Sequence, residues 1–177
     1  MSGLNSVVAV YKTQADAEDG LHRLERAEYD LKTVSVAGRE HEFGGHVTGY
    51  YLSDGHMKYW GARGLFWNNL WKSLPCAGCF HVPEIGRVLL AGRFTTWFVK
   101  SLDSPPEGLS ALGWTLYDIG IPKPSARRYE AAVKMHKLLL VAHGAAKELL
   151  MAKDVLHQSR PEEIDIHFAE MGVSLAA

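Results

Sequence analysis

Cys76-Ala77-Gly78-Cys79-Phe80-His81 is the stretch in which residue type and spacing come closest to chemistry. Two thiolates three positions apart can share one metal ion, and an imidazole two residues on supplies a third ligand. Zinc or another transition metal is what Cys76, Cys79 and His81 would hold, with His46 or His56 as a fourth ligand. A single C-x-x-C without a second ligand pair is nevertheless a weak signal, and no cofactor is predicted from it alone. The same residues also read as a redox dithiol or as two ordinary buried thiols. A thioredoxin-like dithiol needs its first cysteine at a helix start after a strand, and Pro75 before Cys76 does not supply that context.

Nine histidines are scattered through the chain. His22, His136 and His157 fall on predicted helices beside charged residues, as solvated side chains do. His143 and His167 lie on predicted strands and read first as surface-facing. Converging with His41 or His46, they would form a pH-responsive or metal-holding patch. Trp60, Gly64, Trp67, Trp71 and Leu74 recur at helical spacing up to Pro75, which predicts a tryptophan ridge. Such a ridge can stack a planar ligand, meet a partner chain or touch a membrane surface, although aromatic stripes are more often core or interface. There is no Ser-His-Asp arrangement, and Gly108 to Gly113 lacks the lysine of a phosphate-binding loop. The adjacent acids Glu162 and Glu163 are expected in a turn.

These residues sit in a chain of 177, with 47% apolar and 22% charged residues and a formal charge of -1. That is the composition of a globular protein large enough for a real core. Nucleic acid is not an expected partner, because the basic excess it favours is missing. Apolar runs in the middle are cut by Asn68, Asn69, Lys72, Glu84, Arg87, Arg93 and Lys100, so none reaches the roughly 18 residues of a spanning helix. The opening MSGLNSVVAVY lacks the basic start and long apolar run of a secretory signal, which makes a cytoplasmic location the expectation.

Val7 to Tyr11 reads as an inner strand. Thr13 caps a helix that carries Ala17, Leu21 and Leu24 on one face, and Thr33 to Ala37 is the second strand. After Gly120-Ile121-Pro122, a helix runs from about Ser125 to Met135. A strand follows at Leu138 to His143, then a helix at Ala145 to His157. Ile164, Ile166 and Phe168 alternate along a last strand. Ala9 to Ser35 and Val141 to His167 are strand-helix-strand units of equal span, which predicts an α+β, ferredoxin-like split β-α-β sheet. On that reading residues 1–57 and 122–177 complete one domain around a helical insertion at 58–121. The insertion's second helix is placed on Ile85, Val88, Leu89, Gly92, Thr96 and Val99, and its third on Leu109, Leu112, Leu116 and Ile119.

Three segments carry a family resemblance: VVAVYKTQADAEDGLHRLERAEYDLKTVSVAGR, YWGARGLFWNNLW and GLSALGWTLYDIGIPKPSARRYEAAVKMHKLLLVAHG. In that order they resemble a bacterial family of general or heat-induced stress proteins of unknown biochemical function. The common features are the β-α-β start, the glycine-rich centre, the G-I-P turn at Gly120-Ile121-Pro122 and the R-Y-E helix at Arg128-Tyr129-Glu130. The resemblance implies no catalytic residue. It implies a non-enzymatic, stress-associated protein that acts through homo-oligomerisation or partner binding. The alternative from the residues themselves is a metal or small-molecule binding protein, redox-active or not, that uses the Cys76, Cys79 and His81 cluster.

Overall fold

The computed structural model describes residues 4–39, 48–51, 57–60, 74, 77–102, 108–169 and 173–176. In chain order the elements are β1 (Ser6–Tyr11), α1 (Gln14–Arg26), β2 (Val34–Arg39), β3 (Thr48–Tyr51), β4 (Met57–Trp60), β5 (Ala77–Val82) and β6 (Gly86–Gly92). They continue with α2 (Phe94–Ser101), α3 (Ala111–Asp118), α4 (Lys123–Lys134), β7 (Leu138–His143), α5 (Ala146–His157), β8 (Glu163–Phe168) and β9 (Val173–Ala176). The fold is α+β. Six strands form an antiparallel sheet in the order β5-β6-β2-β7-β1-β8, the short β9 extends it beyond β8, and β3 and β4 pair separately.

Both faces of this sheet are buried, which explains why β1 and β7 are apolar at nearly every position rather than alternating. Val7, Ala9 and Tyr11 point with Leu138, Leu140 and Ala142 into a core closed by Leu21 and Leu24 of α1 and Leu149, Ala152 and Leu156 of α5. Val8, Val10, Leu139 and Val141 point the other way. There they meet Phe94 and Phe98 of α2, Leu112 and Leu116 of α3, and Ala126, Tyr129 and Val133 of α4.

Local signals set the boundaries. The Thr13 hydroxyl accepts from the Asp16 amide and starts α1. Three helices end in the same motif, with the residue past the helix at positive φ: Glu28 (58°), Gly120 (108°) and His136 (62°). At each, the next amide reaches back five residues, as from Tyr29 to the Leu24 carbonyl (3.0 Å) and from Lys137 to the Ala132 carbonyl (3.0 Å). His136 is therefore a helix terminator rather than a helical residue. Helix α4 begins at Lys123 after Pro122, so Ser125 is a buried residue of its first turn and not its cap.

The centre differs from the all-helical insertion read from the sequence. Residues 77–92 form a hairpin, β5-β6, that pairs with β2 and belongs to the main sheet. Its turn has Pro83 and then Glu84 at φ 70°, with the Ile85 amide bonded to the Val82 carbonyl at 3.1 Å. Along β6, Leu89 and Ala91 enter one core while Val88 and Leu90 enter the other. A strand covered on both sides loses its period of two, and its apolar run imitates a helix. Helices do occur at 94–101 and 111–118, the latter on the expected Leu112 and Leu116. Trp60 is the last residue of β4, paired with Thr48, and so does not open a helix. The rest of the expected tryptophan ridge, Trp67 and Trp71, lies outside the described residues.

Candidate functional site

The polar residues that the fold brings together lie on the α2–α4 side of the sheet, near one end of β7, β1 and β8. Ile164, Ile166 and Phe168 turn toward α1 and α5, as their alternation requires, which turns Glu163, Asp165 and His167 to the opposite side. Helix α4 covers them with consecutive residues. Tyr129 is fully buried, and its hydroxyl lies 3.2 Å from Asp165 Oδ2 and 2.8 Å from His167 Nε2. Half-exposed Arg128 wraps the sheet edge. Its Nε meets Glu163 Oε1 at 2.5 Å, and its Nη2 pairs with Asp165 Oδ2. Glu130 turns the other way: it accepts from the Ser110 amide (3.2 Å) at the start of α3 and pairs with Lys134 Nζ (3.1 Å). The three residues of the R-Y-E stretch thus tie α4 to β8 and to α3.

Proton placement follows from counting. Burial, with the Asp165 charge, drives the Tyr129 phenol far above its usual pKa and keeps it protonated. Its single proton goes to Asp165. The 2.8 Å contact is then a donation from His167 Nε2–H to the phenol oxygen, which leaves Nδ1 as a bare lone pair. Nδ1 has no partner. An unpaired acceptor is the less costly orphan. Burial lowers His167 to about 4, against the attraction of Asp165 and with the repulsion of Arg128. Burial likewise raises Glu163, with the Arg128 guanidinium opposing.

Two more buried polar side chains continue the row. Ser6 of β1 is opposite His143 of β7 on one side and His167 of β8 on the other. His143 is 4% exposed, and among the described residues neither ring nitrogen has a hydrogen-bond partner; nor does Ser6 Oγ. Whichever tautomer His143 adopts, one N–H is orphaned, a cost of about 1–3 kcal/mol. Its ring stands edge-on to Trp97 of α2, centroids 5.2 Å apart, and Arg93 lies over the same indole at 5.2 Å. Burial pushes His143 down to about 4. The Asn5 backbone approaches and opposes that shift without hydrogen-bond geometry, and Arg93 adds to it. Both histidines are therefore buried, not surface-facing as their strand positions suggested. His41 and His46 lie outside the described residues.

A cleft of about 470 Å³ opens beside the ion pairs, lined by Arg128, His157, Pro161, Glu162, Glu163, Ile164 and Asp165. Its floor is the first part of β8. Glu162, exposed at the rim, pairs with Lys137 at 2.8 Å and Lys12 at 3.6 Å, and the Lys137 bond holds its carboxyl below the usual range.

Serine chemistry does not fit this row, since the Ser6 hydroxyl is fully buried and hydrogen-bonded to neither imidazole. The other sequence candidates lie elsewhere. Cys79 and His81 are two apart on edge strand β5 and so share a face, half-buried and exposed respectively, while Cys76 is outside the described residues. Among the described residues no group of three His, Cys, Asp or Glu side chains could hold a metal. No described helix is long and apolar enough to cross a membrane. No protein-family model, curated protein or solved structure matches the chain.

Proposed function

We propose that this is a non-enzymatic binding protein whose site is the cleft beside β8 and α4, with a small polar molecule as its ligand. One observation carries the reading: the open cavity is lined by Arg128, Glu163 and Asp165, whose ion pairs lead inward to the buried Tyr129 and His167. Arg128 keeps donors beyond those given to the two carboxylates, and Glu163 sits at the boundary between interior and solvent. A ligand with a donor and an acceptor would find both in reach. The test is two-dimensional NMR with a panel of small amines, carboxylates and amino acids. Shifts centred on residues 128 and 161–165, lost in Arg128→Ala, support the proposal. Perturbation only elsewhere, or none at millimolar ligand, sinks it.

Association with another chain is a second reading, favoured by Val99 in the last turn of α2 and Leu102 just past its end, 50% and 45% exposed. It agrees with the homo-oligomeric, stress-associated role that the family resemblance implies. Light scattering behind size exclusion checks it, and a stable monomer at micromolar concentration counts against it. The ferredoxin-like description rests on the order β2-β7-β1-β8, in which two β-α-β units interleave. Zinc at Cys76, Cys79 and His81, contact through Trp60, Trp67 and Trp71, and a cytoplasmic location stay as expectations of the sequence. Metal analysis of untagged protein addresses the first.

A further inference from the structure

We infer that His143, Ser6 and His167 form an acid-sensitive latch, which holds α2 against the sheet only while the imidazoles are uncharged. The three side chains stand side by side on β7, β1 and β8, all at least nine-tenths buried, with four polar atoms that have no partner among the described residues. Apart from the His167 bond to Tyr129, no polar atom of the row has a partner among the described residues. What it contributes is a place where a proton cannot be added without opening the layer above.

The surroundings make the two histidines unequal. His167 faces Asp165 on its own strand and Tyr129 and Arg128 on α4, so a charge arriving there meets both a carboxylate and a guanidinium. His143 faces Trp97 and Arg93 on α2, the Asn5 backbone and Ser6 on β1, and across Ser6 the neutral His167. Its backbone carbonyl, on the other side of the sheet, accepts from the Tyr29 hydroxyl at 2.6 Å. On the α1–α5 side it borders a pocket of about 220 Å³ lined also by Glu28, Asp30 and Glu148; burial is the main cause of its shift, and the charge that adds to it is exposed Arg93, of like sign. Proton uptake at His143 therefore sets two cations against each other across the start of α2, and His143 is the trigger. Helices α1 and α5 pack on the opposite face and are not addressed by this contact.

Hydrogen exchange of the full chain at pH 7.5 and pH 5.0, corrected for the intrinsic pH dependence of exchange, tests the latch. An imidazole at about 4 when docked and near 6.5 when released favours opening about thirtyfold more at pH 5.0 than at pH 7.5 by linkage. The expected result is a loss of protection of that order in residues 94–101 while α1 and α5 keep theirs. His143→Gln, which cannot charge, should keep α2 protected at both pH values, and Arg93→Gln should weaken the acid effect. Unchanged α2 exchange in the parent protein overturns the latch, as does equal acid loosening in His143→Gln. Should that variant not fold, His143→Asn is read in its place, and equal acid loosening there removes the trigger assigned to His143.

Discussion

Tyr129 shows what one hydroxyl does here: it satisfies His167 Nε2 and shares Asp165 with Arg128. Tyr129→Phe keeps the ring and strands one imidazole N–H inside the protein. The expected loss is about 1–3 kcal/mol, read as a lower denaturant midpoint with unchanged slope. Glu28 gives the opposite case. It carries φ 58° past the end of α1, a conformation that costs a non-glycine residue about 1–2 kcal/mol. Glu28→Gly is expected to raise the melting temperature by a few degrees, and calorimetry would show it. Tyr129 is marked in the sequence only as part of the R-Y-E stretch, and Glu28 not at all. The buried pair His143 and His167 had a signal, because the unbroken apolar run of β7 already implies a sheet covered on both sides. A histidine at its end, and the polar face of a neighbouring strand, then belong to the interior.

Helix α2 is started by another strand. Arg93 precedes it without a capping side chain, and the Phe94 amide instead donates to Ser35 Oγ of β2 at 3.0 Å. Ser35→Ala should cost about 1 kcal/mol and loosen α2 preferentially, measurable as faster exchange of its first-turn amides. Gly92 makes the approach of β6 to β2 feasible: at φ 89° its missing side chain leaves room for the Val34 carbonyl and the Ser35 backbone. Most elements could be read in advance, since α1, α4 and α5 carry apolar stripes at helical period, and capping and turn residues bracket them. The strand β6 could not. Val88, Leu89, Leu90 and Ala91 serve two cores at once, and a run of four apolar residues contains no period to distinguish strand from helix.

For the molecule as a whole, the two neutral histidines set a pH dependence. Each is held near 4 when folded and titrates near 6.5 when unfolded. Between those values the unfolded chain binds more protons, so stability is complete above about pH 6.5 and falls as the pH drops toward 4. The full loss is of order 3 kcal/mol for each histidine. Urea titrations at pH 7.5, 5.5 and 4.5 should show a declining unfolding free energy, with a shallower decline in His167→Gln if that variant folds as the parent does. A flat profile across this range would contradict the burial of both rings. The cleft beside β8 was not legible in the sequence either, because it depends on Arg128 reaching Glu163 and Asp165 from a helix distant in the chain.

The position of β1 bears on how the protein is made. This strand, formed by residues 6–11, hydrogen-bonds to β7 and β8, both of which lie beyond residue 137. During synthesis more than a hundred residues emerge before either neighbour exists, and the apolar strand meanwhile waits for both. Assembly of the sheet's middle is thus a late event at the ribosome, and shielding by a chaperone is of most use over that interval.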